Sequence, residues 1–372
     1  MSDGVLASRA LWFCGGAAVS GIAAYLLLSP RAAGGGGASP SPKDSGSTTS
    51  SAQDVSVYES RKAVEEYLLF HFGSPGEILP YSSELGHHGA LGFAARTGAL
   101  CAAWARRVGL PLEGAFDVGC AVGGTSFELS KDFPRVVGLD FSHAFVEAAN
   151  RLKASGSAPF SYMVEGDISG SGVARVQEGA RPQLCTFMQG DACSLPDASS
   201  LGGAFTVIHA ANLLCRLPNP RLVAEFKAPT LTRVPLFFRV QRVCVCVCVC
   251  AAPFPHSISA PCQHLPYPTP HPRTTTRRLF IDRLSSLLVP GGLVVHVSPF
   301  SWLPQYTRKE LWLGGRVNKD GSPDASLAGL TAAMEAAGFA LLHKEDCPFL
   351  IREHARKFQL GFSCVTVWRK KT

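Results

Sequence analysis

A short acidic and glycine-rich stretch in the first half of the sequence carries the residue types that hold a nucleoside. Asp117 stands two residues before Gly119, and Gly123 follows in the same turn. A second acid, Asp140, comes 21 residues after Gly119. Glycines accept positive φ and let a ligand approach the backbone closely. An acid about 20 residues beyond such a turn is typical of ribose recognition in a βαβ unit.

The glycine spacing and the acid before the turn limit the classes of ligand that the turn can bind. The turn does not follow the G-x-G-x-x-G pattern, which argues against a dinucleotide. A carboxylate at Asp117 suits a ligand with a cationic amino group better than a ligand with a pyrophosphate. The stretch therefore indicates a nucleoside that carries an amino group.

The segments that must position these residues are predicted from hydrophobic periodicity. Apolar strands are expected to end at Val118 and Asp140, with a helix opening after the glycine turn. The other predicted strands are 186–192 with its turn, 204–210, 293–298, 339–343 and 362–368; the predicted helices are 57–72, 90–108, 141–153 and 327–337, and 154–182 is predicted as a loop. In an open α/β sheet, ligands bind at the carboxyl ends of the strands.

Composition excludes one broad class of protein, and the distribution of charge argues against another. A hydrophobic content of 46% is ample for a core, so a wholly disordered chain is excluded. The net charge of +7 would suggest a nucleic-acid partner. However, seven of the basic residues lie within 227–279, a segment that contains no acid. Without that segment the charge is balanced, and no nucleic-acid partner is predicted.

The spacing of the 13 cysteines does not match a disulfide scaffold or a zinc-binding motif. Five of them fall within 227–279, the others are scattered singly, and no C-x-x-C pair occurs. We therefore predict no structural zinc and no other metal site, and we favour a reducing compartment.

The amino-terminal residues have the composition of a membrane anchor followed by a tether. Residues 10–28 form a run of 19 without a charge, close to the ~20 that a helix needs to cross a bilayer. We predict a single-pass anchor within 1–31, with an organelle-targeting peptide as the alternative. Residues 32–55 are rich in Gly, Ser and Pro and are predicted to be a flexible linker.

Residues 227–279 do not fit the pattern of the flanking sequence. They include an alternating Val-Cys run from Val243 to Cys250, which repeated GT dinucleotides would encode. Joining 222–226 directly to 281–288 produces one amphipathic helix. Our hypothesis is a retained intron or a gene-model error; if translated, the segment is predicted to be a disordered surface insert.

With these segments placed, the sequence resembles a known family. The glycine turn and Asp140 resemble the first two motifs of S-adenosylmethionine-dependent methyltransferases, which usually carry a glycine where this chain has Ala121. A closer resemblance, over about 57–371, is to the mercaptohistidine N-methyltransferase domain of ovothiol biosynthesis. It is carried by 67–73, 117–123, 138–142, 189–193, 210–213, 298–303, 312–315 and 351–359. The Trp-Leu-Gly-Gly stretch at 312–315 and the Ile-Arg-Glu stretch at 351–353 are the most particular matches.

The resemblance implies an α/β fold, a Rossmann-like seven-stranded class I methyltransferase sheet with helices on both faces. This domain would span 56–372, interrupted by 227–279 and preceded by the membrane anchor. The implied cofactor is S-adenosylmethionine, with Asp117 at its amino end, Asp140 at the ribose and Asp191 at the adenine. The full cofactor-binding set is Asp117, Gly119, Cys120, Ala121, Gly123, Asp140, Phe141, Asp191, Ala192 and Asn212.

The implied acceptor is a zwitterionic imidazole amino acid, which needs a carboxylate partner and an amine partner. Arg352 and Arg356 are candidates to clamp the carboxylate, and Glu353 is a candidate for the amine. Trp302 and Tyr306 are candidates to line the pocket. No catalytic base is assigned, because a deprotonated imidazole nitrogen is already nucleophilic.

The resemblance also implies a partner. In ovothiol synthases this domain usually follows an iron-dependent sulfoxide synthase portion, and nothing here has the length or histidine clustering for one. The expected partner is therefore a separate thiohistidine-forming enzyme. Two alternatives remain: a methyltransferase for another small molecule, and a membrane-tethered protein that binds the cofactor without catalysis.

Overall fold

Eleven strands are found in the computed structural model, which describes residues 58–220 and 280–372. These described residues all belong to one unit of the chain. The strands are β1 (Ala115–Val118), β2 (Val136–Asp140), β3 (Ser157–Glu165), β4 (Ile168–Arg175), β5 (Cys185–Gln189), β6 (Phe205–Ala211), β7 (Leu288–Ser298), β8 (Arg316–Val317), β9 (Pro323–Asp324), β10 (Phe339–His354) and β11 (Lys357–Lys370).

Seven of these strands form one mixed sheet in the order β10-β11-β7-β6-β1-β2-β5. The pairs from β5 to β7 are parallel, whereas β11 runs antiparallel to both β7 and β10. The chain moves outward from β1 through β2 to β5 and then returns to β6 on the other side of β1. This reversal creates a crevice at the carboxyl ends of β1 and β6, where open α/β sheets bind ligands.

Seven α-helices accompany the strands in the described part of the chain. They are α1 (Arg61–Phe72), α2 (Pro75–Ile78), α3 (Phe93–Arg107), α4 (Gly124–Leu129), α5 (His143–Ser155), α6 (Phe280–Leu287) and α7 (Ser326–Ala336). Serine caps fix the starts of two helices that line the crevice, α1 and α5. The Ser60 hydroxyl accepts the amide of Ala63 at the start of α1, and the Ser142 hydroxyl accepts the amide of Phe145 in α5.

The sheet is buried on both faces. Val207 and Val295 pack into one hydrophobic cluster, while their neighbours Ile208 and Val294 pack into another on the opposite face. Alternating residues therefore supply two cores, which is why the strands read as nearly continuous apolar runs. The predicted seven-stranded α/β sheet with helices on both faces is confirmed.

The stretch from 154 to 182, predicted as a loop, instead contains an antiparallel ribbon of β3 and β4. Most of its residues are exposed or half-buried, so it lacks the regular apolar face that marks a strand in sequence. A local signal was present. Gly166 and Asp167 form the two-residue connection, with Gly166 at φ +53°, and Gly-Asp between two strands is a hairpin signature.

The carboxyl-terminal strands are much longer than predicted. The sequence indicates strands at 339–343 and 362–368, whereas β10 and β11 pair from Phe339↔Lys370 to His354↔Lys357. Only Ala355 and Arg356 connect them. The extension includes 351–358, which the sequence pattern leaves as a connection.

The predicted anchor at 10–28, the linker at 32–55 and the segment 227–279 lie outside the described residues. Among the residues that the structure describes, no helix is long and apolar enough to cross a membrane. One helix was expected from joining 222–226 to 281–288. Only its second part is described, as α6, which buries Phe280, Ile281 and Leu284.

Candidate cofactor and acceptor site

A cavity of about 680 Å³ opens beyond the carboxyl ends of β1, β2 and β6. Its volume lies in the range of small-molecule sites, ~300–1,000 Å³. The sequence-predicted residues that line it are Asp117, Gly119, Cys120, Ala121, Asp140, Phe141, Asp191, Ala192, Asn212 and Tyr306. Residues from distant parts of the sequence therefore converge on one concave site.

The glycine turn has the backbone conformation that its composition predicts. Gly119 and Gly123 have φ of +77° and +89°. The Gly119 amide donates to the Leu139 carbonyl at 2.7 Å, which ties the turn to β2. Gly123 does not line the cavity; a Cβ there would lie 2.9 Å from the Phe187 ring, so close packing requires the glycine.

Ala121 occupies the position where the resembled family has glycine, and it too has a positive φ, +46°. Its amide donates to Oδ2 of Asp140 at 2.8 Å. Oδ1 of Asp140 accepts the amide of Ser142 at 2.9 Å. Burial raises the pKa of Asp140 to about 6, against the opposing effect of these two hydrogen bonds.

Asp117 lies at the base of the cavity with both carboxylate oxygens engaged. Oδ2 accepts the Ser126 hydroxyl at 2.6 Å, and Oδ1 is 2.8 Å from Nδ1 of His209. Asp117 and His209 are each only 1% exposed. Ser126 and His209 were not predicted from the sequence as site residues. The available signal for His209 was a histidine within a strand, β6, whose other residues are apolar except for Thr206.

His71, from α1, lines the same cavity and was also not predicted as a site residue. Burial lowers its pKa to about 4, so the ring is neutral at neutral pH. Within the described residues, Nδ1 of His71 and Nε2 of His209 are buried and have no hydrogen-bond partner.

The β5 side of the cavity carries the third predicted acid. Oδ1 of Asp191 accepts the amide of Cys193 at 2.8 Å, which places the carboxylate at the start of a short 3-10 turn. The side chain remains exposed at the cavity. Phe141, which follows β2, also lines the cavity and is 50% exposed.

Asn212 stands directly after β6 in a left-handed conformation, with φ +53°. Its side-chain oxygen accepts the Ser363 hydroxyl at 2.8 Å, and its amide donates to the Val297 carbonyl at 2.8 Å. These bonds connect the end of β6 to β11 and β7. Asparagine tolerates this conformation better than most residues.

An aromatic and cationic wall completes the cavity. It consists of Tyr58, Tyr67, Tyr306 and Arg216, which come from three separate segments, because Tyr58 and Tyr67 lie just before α1 and within it. The Arg216 guanidinium lies 4.9 Å from the centre of the Tyr306 ring and donates to the Ser301 carbonyl at 2.7 Å. The Ser142 hydroxyl donates to the Tyr58 carbonyl at 3.0 Å and holds the start of α1 over the site.

Four predicted acceptor-binding residues do not line the cavity. Trp302 is 8% exposed, donates to Ser326 and stacks on Trp312. Arg352 donates to the Glu77 carbonyl and lies over Tyr162.

The carboxylate of Glu353 accepts the side-chain amide of Gln359 and pairs with the ammonium group of Lys357, both at 2.6 Å. Arg356 is exposed and lies in the connection between β10 and β11. The physical reason is the continuous hairpin, which carries 352–356 away from the cavity. From this stretch only Ile351 reaches it.

Within the described residues, no group of three or more His, Cys, Asp or Glu side chains is placed to hold a metal ion. The seven cysteines of this part of the chain are free thiols.

Comparison with known proteins gives a family match and several similar folds. A family model described as a methyltransferase domain matches residues 115–344. No curated protein matches the sequence.

Magnesium protoporphyrin IX methyltransferase from Synechocystis PCC 6803 with bound SAM is 12% identical, with 88% of this chain and 100% of that chain covered and a TM-score of 0.42. The cyclase SpnF is 15% identical, with 86% and 96% covered and a TM-score of 0.43. A SAM-dependent methyltransferase from Methanosarcina mazei is 13% identical, with 72% and 96% covered and a TM-score of 0.37.

Proposed function

The chain belongs to the methyltransferase-domain family, whose methyl donor is S-adenosylmethionine, and we propose that it methylates a ring nitrogen of a small imidazole amino acid, 5-mercaptohistidine. The family match supports the reaction class. The identity of the acceptor is proposed from the sequence resemblance and from the chemistry of the cavity wall.

The residues at the strand ends fit the donor. In this proposal, Asp140 accepts the ribose hydroxyls while the amides of Ala121 and Ser142 hold its orientation. Asp191 meets the adenine amino group, and Asp117 supplies the negative charge for the cationic amino group. When bound, the cofactor supplies a methyl group on a positively charged sulfur. The chain supplies alignment, because in-line transfer requires reacting atoms about 3–3.5 Å apart.

The observation that carries the acceptor proposal is the combination of Arg216 with tyrosine rings on one cavity wall. A guanidinium binds a carboxylate with charge-assisted hydrogen bonds, and tyrosine rings pack well against a flat heteroaromatic ring. Because Arg216 is already fixed by its hydrogen bond to Ser301, its side chain loses little further conformational entropy when it binds a carboxylate. In this proposal Arg216 replaces Arg352 and Arg356 as the carboxylate partner.

A neutral imidazole nitrogen has a lone pair, so the chain need not generate a stronger nucleophile. Its contribution is to select the neutral ring and to hold it edge-on to the methyl group. Tyr58, Tyr67 and Tyr306, which share one wall of the cavity, are proposed to do this. Burial raises the pKa of Tyr58, which therefore stays protonated as a hydrogen-bond donor.

An acceptor panel tests this assignment. The panel contains 5-mercaptohistidine, histidine, and the mercaptoimidazole amine that lacks the carboxylate, each offered at several concentrations. We expect the highest kcat/KM for mercaptohistidine, a lower value without the thiol, and a raised KM without the carboxylate. Equal kcat/KM for all three would contradict the proposal and favour methylation of another small molecule.

Two further proposals concern the setting of the reaction. The uncharged run at 10–28 supports a single-pass membrane attachment; full-length protein should stay with membranes after alkaline extraction, and protein beginning at residue 56 should not. Recovery of the full-length protein in the soluble fraction would contradict this.

The thiol must be installed before this methylation, so the proposed partner is a separate thiohistidine-forming enzyme.

A further inference from the structure

Two histidines at the base of the cavity present nitrogens that have no hydrogen-bond partner in the described residues. Nε2 of His209 and Nδ1 of His71 are both buried, and both residues line the cavity. A buried polar atom without a partner is destabilising, so each such atom in a ligand cavity calls for an explanation. Binding of a ligand with N–H donors would supply one.

The hydrogen bond to Asp117 defines what His209 can offer. A carboxylate only accepts, so Nδ1 of His209 carries the hydrogen that bridges the 2.8 Å to Oδ1. In the neutral ring, Nε2 then holds a lone pair and acts as an acceptor. The other oxygen of Asp117 accepts the Ser126 hydroxyl, and each carboxylate oxygen keeps a second lone pair for a further donor. The pair therefore presents a fixed acceptor backed by a negative charge.

His71 lines the same cavity, and its Nδ1 offers a second acceptor when Nε2 carries the ring hydrogen. Burial lowers the pKa of His71 to about 4, with smaller effects of Asp117, which raises it, and of His209, which lowers it, so the ring is neutral and one of its nitrogens holds a lone pair. A Cβ on Gly124 would come within 2.5 Å of Nδ1 of His71, so the ring is packed against the backbone at the start of α4. Its position is fixed by packing alone.

We propose that His209 and His71, together with Asp117, form a three-acceptor subsite that binds the α-ammonium group of S-adenosylmethionine. An ammonium group has three N–H donors, and this cluster supplies three acceptors with one negative charge. Asp117 alone was expected from the sequence to meet this group. The inference adds two binding residues and makes Asp117 a residue that also orients His209.

The competing role for an Asp–His pair is a general base that removes a proton from the acceptor. The location of His209 favours the binding role. It lies two residues before the carboxyl end of β6, deeper in the sheet than Asn212. The wall proposed for the acceptor is formed by other residues.

Calorimetric titration of the full-length protein separates these roles. The ligands are S-adenosylhomocysteine, which has the ammonium group, and 5′-methylthioadenosine, which lacks the whole amino-acid end. His209→Asn keeps an N–H for Asp117 in the place of Nδ1 but removes the Nε2 acceptor. His71→Phe keeps an aromatic ring and removes Nδ1. Exposed His143, mutated to Asn, is the matched control.

We expect each cavity variant to weaken S-adenosylhomocysteine binding about tenfold, the value of a hydrogen bond to a charged group. Binding of 5′-methylthioadenosine should change less than about twofold, and His143→Asn should change neither. Decarboxylated S-adenosylmethionine, which retains the ammonium group, should show the same loss as S-adenosylhomocysteine.

Three results would overturn the proposal. Equal weakening of both ligands by His209→Asn and His71→Phe would indicate a general structural role. Unchanged binding of S-adenosylhomocysteine with a fallen kcat and an altered pH profile would indicate the general base. Unchanged binding and unchanged kcat would indicate that neither nitrogen meets a ligand. Failure of the unmodified protein to bind S-adenosylhomocysteine would instead contradict the cofactor assignment itself.

Discussion

The amide of Ala121 donates a 2.8 Å hydrogen bond to the carboxylate of Asp140 and so joins the glycine turn to the end of the neighbouring strand. This bond requires the left-handed backbone of Ala121, at φ +46°. The acid proposed to hold the ribose is therefore oriented by a residue in a conformation that most residues avoid.

Replacing Ala121 with glycine should stabilise the protein. A non-glycine residue in the left-handed region costs about 1–2 kcal/mol, whereas glycine loses about 0.5–1 kcal/mol through greater freedom of the unfolded chain. We expect the free energy of unfolding to rise by up to ~1 kcal/mol, measured by denaturant titration. Ala144→Gly, in the first turn of α5, is the control and should destabilise by up to about 1 kcal/mol. A less stable Ala121→Gly protein would contradict the strain argument.

Cofactor affinity should depend on pH through Asp140. Burial raises the pKa of this carboxyl to about 6, and the proposed ribose contact needs the ionised form. As pH falls from 8 to 5, Asp140 takes up a proton and binding of S-adenosylhomocysteine should weaken, with a midpoint near 6. The pKa of His71, at about 4, keeps that ring neutral over the same range.

Asp140→Asn is the matched variant for this pH dependence. It should bind S-adenosylhomocysteine about tenfold or more weakly at pH 8, since a charge-assisted bond is lost. It should also remove the midpoint near pH 6. An unchanged pH profile in Asp140→Asn would assign the titration to another group.

The part of the site that lies at strand ends was predictable, because it depends on local sequence. Asp117, Gly119 and Asp140 belong to one strand–turn–helix–strand unit, and the order of residues fixes their places. The α/β sheet was predictable for the same reason. The family resemblance marked Ala121 as a departure from the usual glycine, whereas its hydrogen bond to Asp140 was not predicted.

The cavity wall was not predictable in this way. Tyr58, Arg216 and Tyr306 come from segments far apart in sequence, and only their packing brings them together. Conversely, Arg352 and Arg356 have the right chemistry but lie on a hairpin whose length the sequence understated. Side-chain chemistry identified candidates, whereas tertiary packing decided which of them reach the cavity.

Arg216→Gln should weaken binding of the acceptor. Loss of a guanidinium–carboxylate contact should raise KM for mercaptohistidine about tenfold or more. The acceptor that lacks the carboxylate should show little change, which separates this role from the structural bond to Ser301. Arg356→Gln, outside the cavity, is the control and should leave KM unchanged. A raised KM in the control alone would restore the sequence-based assignment to the hairpin.

His296 should make the protein less stable as pH falls. The side chain is 3% exposed, its Nε2 has no partner among the described residues, and burial lowers its pKa to about 3. In the unfolded chain this histidine has a pKa of about 6.5. Below that pH the unfolded state therefore binds more protons than the folded state and is stabilised relative to it. The contribution from His296 is therefore lost as pH falls from 6.5 towards 3, by at most about 1.4 kcal/mol per pH unit.

Thermal unfolding of His296→Leu across pH 4 to 7 tests this account. The variant should lose less stability on acidification than the unmodified protein. His143→Leu, which removes an exposed histidine instead, should follow the unmodified protein. Parallel curves for His296→Leu and the unmodified protein would exclude His296 as the cause.

The most direct test of the central claim is methyl transfer followed by mass spectrometry. Protein with and without residues 227–279 is incubated with methyl-labelled S-adenosylmethionine and either mercaptohistidine or histidine. We predict that mercaptohistidine gains one labelled methyl group on a ring nitrogen, and that removing 227–279 does not reduce the rate. Activity only without that segment would support the retained-intron hypothesis. Absence of transfer by either protein, although both bind the cofactor, would contradict methylation of mercaptohistidine.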